Sequence, residues 1–252
     1  MKRMKVVVPF YNAEKYLSQC LDSVLDQTYN NYQIILINDC SDDNSKDVVN
    51  RFLEKTDKIT YIENDKRMYA MYNHQNAVFN YCESEDIVIH LDGDDYLIDS
   101  NVLQYINDFY EKEKCLMMYG QAIYADGRIG NARPYNSQRD FEIKRMLPFY
   151  VSHIRTFVAK VFHEIKNQDA YLSCFKDNFG EWYKMSADVA MMYPIMEISG
   201  YENVKYNDTA LYVYNNLNPI CDYKVDLSLQ ELTHYEILKK PSFKKKDFNE
   251  NI

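Results

Sequence analysis

The sequence concentrates carboxylates at one point in its first half. Asp92, Asp94 and Asp95 follow a short apolar run over residues 87–91, and only Gly93 separates the first two acids. Three acids this close repel one another, and a hard divalent cation, which prefers oxygen ligands, would offset that repulsion. Gly93 lets the backbone approach a ligand closely. The pattern predicts a metal site at Asp92 and Asp94, and the alternative is an acidic turn before the next helix.

The elements that must position these acids alternate along the first half. Short β-branched or apolar runs predict strands over residues 5–9, 33–37, 59–62 and 87–91, and amphipathic stretches between them predict helices. The first strand is expected to stop at Pro9, which cannot continue a central ladder, and Asn12 is expected to cap the first helix. Further strands are predicted over residues 115–119 and 203–214. This alternation predicts right-handed βαβ units and a mostly parallel α/β sheet.

Polar residues follow each predicted strand of the first half. Parallel strands bring their carboxyl ends to one rim, which is where open α/β sheets bind nucleotides. The sequence has no GxGxxG and no GxxxxGK[ST] motif, so no glycine-rich loop is expected to hold phosphates, and a metal takes that role. The residues expected at this rim are Tyr11, Asn12, Asp39, Arg67, Asp92 and Asp94.

Composition limits the class of protein. A chain of 252 residues can bury one large core or two modest ones, and its net charge of −9 argues against a nucleic-acid partner. The six cysteines form no CxxC pair and mostly lie in apolar runs, which indicates free thiols in a reducing compartment such as the cytoplasm. Neither a signal peptide nor an apolar run of bilayer length is recognisable.

Three motifs together carry a resemblance to a known family. Residues 7–12 (Val-Val-Pro-Phe-Tyr-Asn), 37–43 (Ile-Asn-Asp-Cys-Ser-Asp-Asp) and 91–95 (Leu-Asp-Gly-Asp-Asp) resemble, in order and spacing, the family-two glycosyltransferases of the GT-A fold. The resemblance covers roughly the first hundred residues. The chain departs from the family pattern at Asn38, where an acid is usual, and at Cys40, where glycine is usual. Residues 67–73 also replace the usual glycine-rich approach to the third helix.

The resemblance implies a fold and roles for the rim residues. It implies a Rossmann-like GT-A sheet flanked by helices, with a helical C-terminal extension. The metal would be Mn²⁺ or Mg²⁺ bound by Asp94, and the donor would be a nucleotide-diphosphate sugar, usually UDP-linked. By the same resemblance, Pro9 and Tyr11 line the base pocket, Asp39 accepts a hydrogen bond from the base, Arg67 approaches base or diphosphate, Asp92 contacts ribose or metal, and Asn12 and Gly93 lie beside the nucleotide.

The second half holds the expected catalytic acid. The resemblance implies that Asp188, at the start of an amphipathic helix, is the catalytic base, with Glu181 as its rival. His153 and Arg155 either bind acceptor or diphosphate, or cap the following helix. In relatives the region after residue 214 closes over the donor, so Asn218 or Lys224 is a candidate phosphate contact.

The predicted function is inverting, metal-dependent transfer of a sugar to an acceptor hydroxyl on a glycan, a lipid-linked molecule or a protein. Residues 1–120 would bind the nucleotide sugar, residues 121–225 the acceptor, and residues 226–252 would form a helix and a basic tail. The tail is expected to be solvated, with weak contact to an anionic membrane surface as the alternative. Alternative functions are a sugar-nucleotide nucleotidyltransferase, whose glycine-rich basic loop residues 9–12 lack, and a non-catalytic module that binds glycans or sugar nucleotides. An NAD-type dehydrogenase is disfavoured by the missing glycine fingerprint.

Overall fold

The computed structural model describes residues 1–220 and 222–248, which build one eight-stranded sheet with helices on both faces. The strand order is β3-β2-β1-β4-β7-β6-β8-β5. The first four strands of that order are parallel, β7 runs antiparallel to β4 and β6, β8 is parallel to β6, and β5 is antiparallel to β8. The strands are β1 Met4–Phe10, β2 Tyr32–Asn38, β3 Ile59–Glu63, β4 Ile87–His90, β5 Tyr96–Leu97, β6 Met117–Tyr124, β7 Ser152–Val158 and β8 Val204–Tyr214.

Two apolar cores sandwich this sheet. Strand β1 is buried on both faces, so Val6 and Val8 point into one core and Val7 into the other. The first core packs against α1, α2 and α4, and the second against α3, α6 and α7. The prediction of an α/β, mostly parallel sheet is confirmed. The helices are α1 Leu17–Leu25, α2 Ser45–Leu53, α3 Tyr69–Tyr81, α4 Val102–Glu113, α5 Gln138–Glu142, α6 Ala159–Gln168, α7 Ala187–Ser199, α8 Asp222–Val225 and α9 Leu227–Lys239.

The end of β1 differs from the sequence prediction. The strand continues through Pro9 to Phe10, so the predicted stop at Pro9 is wrong. The Pro9 carbonyl accepts a hydrogen bond from the Gly93 amide at 3.1 Å, so this side of Pro9 faces the turn after β4. The pairing of β1 with β4 ends at Val7 and His90, so the missing N–H of Pro9 falls beyond that ladder and proline is tolerated there.

Asn12 does not cap α1, which begins five residues later at Leu17. It has a φ of 49°, a left-handed conformation that asparagine tolerates. Its side-chain Nδ2 donates to Asp42 Oδ1 at 2.6 Å, and its Oδ1 accepts from the Asp42 amide at 3.0 Å. Asn12 therefore ties the loop after β1 to the loop after β2.

The structure contains two strands, β5 and β7, that the sequence analysis did not predict. Residues 152–156 are part of β7, which lies inside the sheet between β4 and β6. Strand β5 has only two residues. Strand β6 extends from Met117 to Tyr124 and crosses residue 120, so the sheet is continuous across the boundary predicted there.

The basic tail lies against the body of the protein over residues 240–248. The rings of Phe243 and Phe248 pack on the second core, and the Lys246 amide donates to the Ile198 carbonyl at 3.0 Å. Most residues of this segment, including Lys244, Lys245 and Lys246, are exposed as expected for a solvated tail, while the two aromatic rings gain burial against the body. Residues 249–252 of the predicted tail lie outside the described residues.

Two expectations drawn from the composition, on the cysteines and on membrane spans, can be compared with the structure. The five cysteines within it are free thiols and four are buried, as expected, while Cys221 lies outside the described residues. Over residues 1–220 and 222–248, each helix is too short or too polar to span a bilayer.

Candidate functional site

The carboxyl ends of β1, β2 and β4 open into a cavity of about 270 Å³. Eight of the nine predicted site residues line it, and the exception is Asn12, which is engaged with Asp42. Residues from α3, β7 and α7 complete the walls. The predicted site residues at this cavity are Pro9, Tyr11, Asp39, Arg67, Asp92, Gly93, Asp94 and Asp188.

An arginine stacks on the tyrosine of the predicted base pocket. The guanidinium carbon of Arg67 lies 3.2 Å from the ring centre of Tyr11 and 5.1 Å from that of Tyr69. Its Nε also contacts Asp39 Oδ2 at 2.9 Å. The Arg67 side chain is 37% exposed, so it covers the tyrosine while staying within reach of solvent.

The carboxylate of Asp39 organises the segment before α3. Its Oδ1 accepts from Asn64 Nδ2 and the Met68 amide, and its Oδ2 accepts from the Tyr69 amide, each at 2.8 Å. With the Arg67 contact, four donors occupy a group that has about four acceptor sites. Asp39 therefore fixes the start of α3, a role that the sequence did not reveal.

The acidic turn after β4 is held by hydrogen bonds from the far end of the sheet. Asp95 is buried and accepts from the Tyr212 hydroxyl and from the Asn215 amide, both at 2.6 Å. Burial, and then the charges of Asp94 and Asp92, raise the pKa of Asp95 well above its ordinary value. Asp94 Oδ2 accepts from Asn218 Nδ2 at 2.6 Å, and burial raises the pKa of Asp94 as well.

Gly93 is required by packing against β1. A β-carbon at this position would collide with the β-carbon of Phe10 and lie 3.2 Å from the Pro9 carbonyl oxygen. From the sequence, Gly93 is expected to let the backbone approach a ligand closely. The close approach seen in the structure is to β1, although Gly93 also lines the cavity.

A group of potential metal ligands lies beside this turn. One ligand atom from each of Asp92, Asp95 and His153 lies within 4.8 Å of the other two. Burial lowers the pKa of His153 well below its ordinary value, so the imidazole is neutral and can offer a lone pair. Among the described residues this group includes Asp92 but not Asp94. A carboxylate–carboxylate–imidazole set suits a divalent cation.

The sequence assigned no ligand role to Asp95 or His153. Asp95 stands within the quoted acidic motif, so its residue type was the available signal. His153 lies 58 residues beyond Asp95 on β7, and its stacking on Tyr212, with ring centres 4.4 Å apart, is a tertiary contact.

Asp188 is the second residue of α7 and forms an ion pair across the cavity. Its Oδ2 accepts from the guanidinium Nη2 of Arg155 at 2.8 Å, and the side chains of Asp188 and Arg155 are 33% and 9% exposed. Glu181, the rival base, is an exposed residue that does not line this cavity. Arg155 does not cap a helix but reaches Asp188 from β7.

A second cavity of about 410 Å³ shares a wall with the first. Tyr124, Arg128, Ser152 and Asn216 are among its other lining residues. Of the two candidate phosphate contacts, Asn218 lines the first cavity, and Lys224 Nζ donates to the carbonyls of Asn216 and Asn218 at 2.7 and 3.0 Å. The residues common to both cavities are His153, Arg155, Asp188 and Tyr214.

Solved structures with the same architecture confirm the GT-A fold. The crystal structure of S. aureus TarS 1-349 in complex with UDP-GlcNAc aligns with a TM-score of 0.63 at 17% identity, over 85% of this chain and 58% of that one. The mannosyltransferase PcManGT from Pyrobaculum calidifontis, in complex with GDP-Man and Mn²⁺, aligns with a TM-score of 0.58 at 16% identity, over 84% and 56%.

Sequence comparison identifies the family. Glycosyltransferase GlyA of Streptococcus pneumoniae serotype 4 is 33% identical over 134 residues, which are 53% of this chain and 17% of that protein. The present chain thus corresponds to a small part of this relative. The profile of Glycosyl transferase family 2 matches residues 5–166, more than half of the chain. The chain therefore belongs to glycosyl transferase family 2.

Proposed function

We propose that this protein is an inverting, metal-dependent glycosyltransferase that moves a sugar from a UDP-sugar to an acceptor hydroxyl. The observation that carries the proposal is the meeting of two cavities at Asp188. One cavity is lined by the predicted nucleotide residues, and the same carboxylate also lines the other. Family membership favours this reading over a nucleotidyltransferase or a non-catalytic binding module.

The nucleotide would bind along β1 and β2. We infer that the uracil ring stacks on Tyr11, where the Arg67 guanidinium now lies, beside Pro9. Arg67 would then move toward the diphosphate, for which a guanidinium is well suited. That movement would release one of the four donors on Asp39 and leave an oxygen able to accept from the base.

The metal would be Mn²⁺ or Mg²⁺ at the acidic turn. Asp92 has the strongest support as a ligand, because it belongs both to the predicted pair with Asp94 and to the group with Asp95 and His153. A nitrogen ligand favours Mn²⁺ over Mg²⁺, which prefers oxygen. When bound, such a cation stabilises the negative charge that develops on the departing diphosphate.

Asp188 would act as the general base. Its carboxylate takes the proton of the acceptor hydroxyl, the acceptor oxygen bonds to the anomeric carbon, and the bond from that carbon to the diphosphate breaks with its electrons. Arg155 orients Asp188 through their ion pair. A single displacement of this kind inverts the anomeric configuration. Among the described residues that line the first cavity, every carboxylate already has another proposed role, so none remains to act as a nucleophile.

The acceptor would enter through the second cavity, which carries the aromatic and polar side chains of Tyr124, Ser152 and Asn216. These suit a glycan, a lipid-linked molecule or a protein side chain. The free thiols favour a reducing compartment, and we infer a cytoplasmic location. Weak membrane contact by the remaining exposed tail lysines stays a prediction.

Calorimetry and NMR test this function. UDP is titrated with Mn²⁺ and with EDTA, and binding is expected to require the metal; equal affinity in both would contradict metal dependence. UDP release is then measured with a panel of UDP-sugars. The first anomer of the sugar released by hydrolysis is followed by proton NMR, and a β-sugar from an α-linked donor is expected. An α-sugar as first product would exclude inversion.

A further inference from the structure

Four buried polar atoms without a protein partner lie on one wall of the first cavity. They are Nδ2 of Asn73, Nδ1 of His74, Nε2 of His90 and Nε of Arg155. Within residues 1–220 and 222–248, only eight buried side-chain nitrogen or oxygen atoms lack a hydrogen-bond partner, and these are half of them. Native proteins pair the great majority of such atoms, so a cluster on one cavity wall indicates a polar ligand.

The fold holds this wall rigidly. His90 ends β4 and lies opposite Arg155 on the neighbouring strand β7. His74 projects from α3 and stacks on His90, with ring centres 4.1 Å apart and planes 27° apart. Asn73 precedes His74 and accepts from Asn64 through its Oδ1 at 2.7 Å, so its amide group is oriented.

The wall also connects the two proposed reaction elements. His90 lies two residues before Asp92, and Arg155 pairs with Asp188. A group bound against this wall would therefore lie beside the proposed metal ligand and the proposed base. In a UDP-sugar, the part that occupies this position during transfer is the sugar ring.

The chemistry of the wall fits uncharged polar groups. Burial lowers the pKa of His74 to about 3, so this imidazole stays neutral, and His90 stacks directly on it. A neutral imidazole carries one donor and one acceptor nitrogen. Asn73 and Arg155 add donors, and the Arg155 charge is already balanced by Asp188. Hydroxyl and acetamido groups, which both donate and accept, match this set.

We propose that Asn73, His74, His90 and Arg155 bind the hydroxyl or acetamido groups of the donor sugar and determine which hexose is transferred. This inference rests on the proposed function. It assigns specificity to an α3–β4 histidine pair that the motifs of the sequence did not single out.

The test separates sugar binding from nucleotide binding. Affinities for UDP, UDP-glucose, UDP-galactose, UDP-GlcNAc and UDP-GalNAc are measured with Mn²⁺ for the wild type, His74→Phe and His90→Phe. Phenylalanine keeps the ring and removes the nitrogens. In both variants the affinity for UDP is expected to stay within twofold of the wild-type value. The ratio of the affinity for the best UDP-sugar to the affinity for UDP is expected to fall at least tenfold. His163→Phe is the matched control, because His163 lies on α6 outside both cavities and is expected to leave every affinity unchanged.

Failure of this inference is distinguishable from failure of the proposed function. A wild type that binds neither UDP nor any UDP-sugar contradicts the function itself. A wild type that prefers one hexose, with both variants keeping that preference, overturns the inference alone. UDP-glucuronate is measured in addition, and tighter binding of UDP-glucuronate than of every neutral UDP-sugar would assign the wall to an anionic group and overturn the proposal of a neutral sugar.

A second measurement does not depend on variants that fold. The protein is labelled with ¹⁵N-histidine, and its five imidazoles are observed while UDP or the best UDP-sugar is added. The signals of His74 and His90 are expected to move with the UDP-sugar and not with UDP. Unchanged signals, or equal shifts with both ligands, overturn the proposal.

Discussion

Replacing Asp188 by asparagine is the most informative perturbation of the proposed mechanism. The substitution preserves the shape of the side chain and removes the proton acceptor. Loss of a general base typically slows a reaction 10²–10⁴-fold, which corresponds to roughly 3–5 kcal/mol of barrier. We expect a loss of this size in donor hydrolysis and in transfer to any acceptor hydroxyl.

The ion pair with Arg155 determines the effect on stability. Breaking a fully buried ion pair costs about 3–5 kcal/mol, because one charge is left without a partner. Asp188 is 33% exposed, so solvent screens the pair and the cost is smaller. An asparagine side-chain oxygen still accepts from Arg155, and we expect a loss of about 1 kcal/mol, the scale of one ordinary hydrogen bond. The variant therefore stays folded.

The assay compares Asp188→Asn with Glu181→Gln, since Glu181 is an exposed acid seven residues upstream. Calorimetry with Mn²⁺ is expected to give wild-type UDP affinity for both variants, because the base acts on the acceptor. UDP release from the best donor is expected to fall only in Asp188→Asn. Near-normal turnover in Asp188→Asn together with an inactive Glu181→Gln would refute the assignment of the base. Activity in both would refute the single-base mechanism.

Three further variants test other contacts. Asp39→Ala removes the acceptor of four donors and is expected to weaken UDP binding by about 1.5–3 kcal/mol, measured by calorimetry. Asp65→Ala, which changes an exposed acid in the segment between β3 and α3, is expected to leave UDP binding unchanged. A folded Asp39→Ala with wild-type affinity would remove Asp39 from the site. Gly93→Ala forces a contact with the Phe10 β-carbon and is expected to lower the free energy of unfolding by about 1–3 kcal/mol in urea; an unchanged midpoint contradicts the packing argument. His74 has a pKa of about 3 when folded and about 6.5 when unfolded, so the unfolded state binds more protons below pH 6.5 and stability falls with falling pH, by up to about 1.4 kcal/mol per pH unit. The urea midpoint should therefore fall further between pH 7 and pH 5 in the wild type than in His74→Phe. An equal fall in both proteins would contradict the buried neutral imidazole.

The first half of the fold was predictable because its signals are local. The apolar runs that became β1 to β4 stand out from their neighbours, and parallel connections of this length admit few topologies. Parallel pairing then required Asp39 and Asp92 to share one rim. The left-handed conformation at Cys40, with a φ of 62°, follows the family pattern even though glycine is absent.

The second half was less predictable because its signals are distributed. Strand β7 contains His153 and Arg155, and these interrupt the apolar pattern that identifies a buried strand. Both are buried in the sheet because their partners, Tyr212 and Asp188, are supplied by β8 and α7. In the first half, strand β5 was missed for a different reason, because two residues are too few to show a periodicity.

The sequence by itself determined the parallel part of the sheet, the acidic turn and most of the residues that meet at its rim. It did so because strand alternation and the parallel rule depend on residue type and order alone. Only the tertiary structure decided what those residues touch: that Asp39 is saturated by the start of α3, that Asp95 and His153 lie beside Asp92, and that Arg155 holds Asp188. Apart from the one between Asp92 and Asp95, these contacts join residues 25 or more positions apart, and their distances depend on how helices and strands pack, which local patterns do not encode.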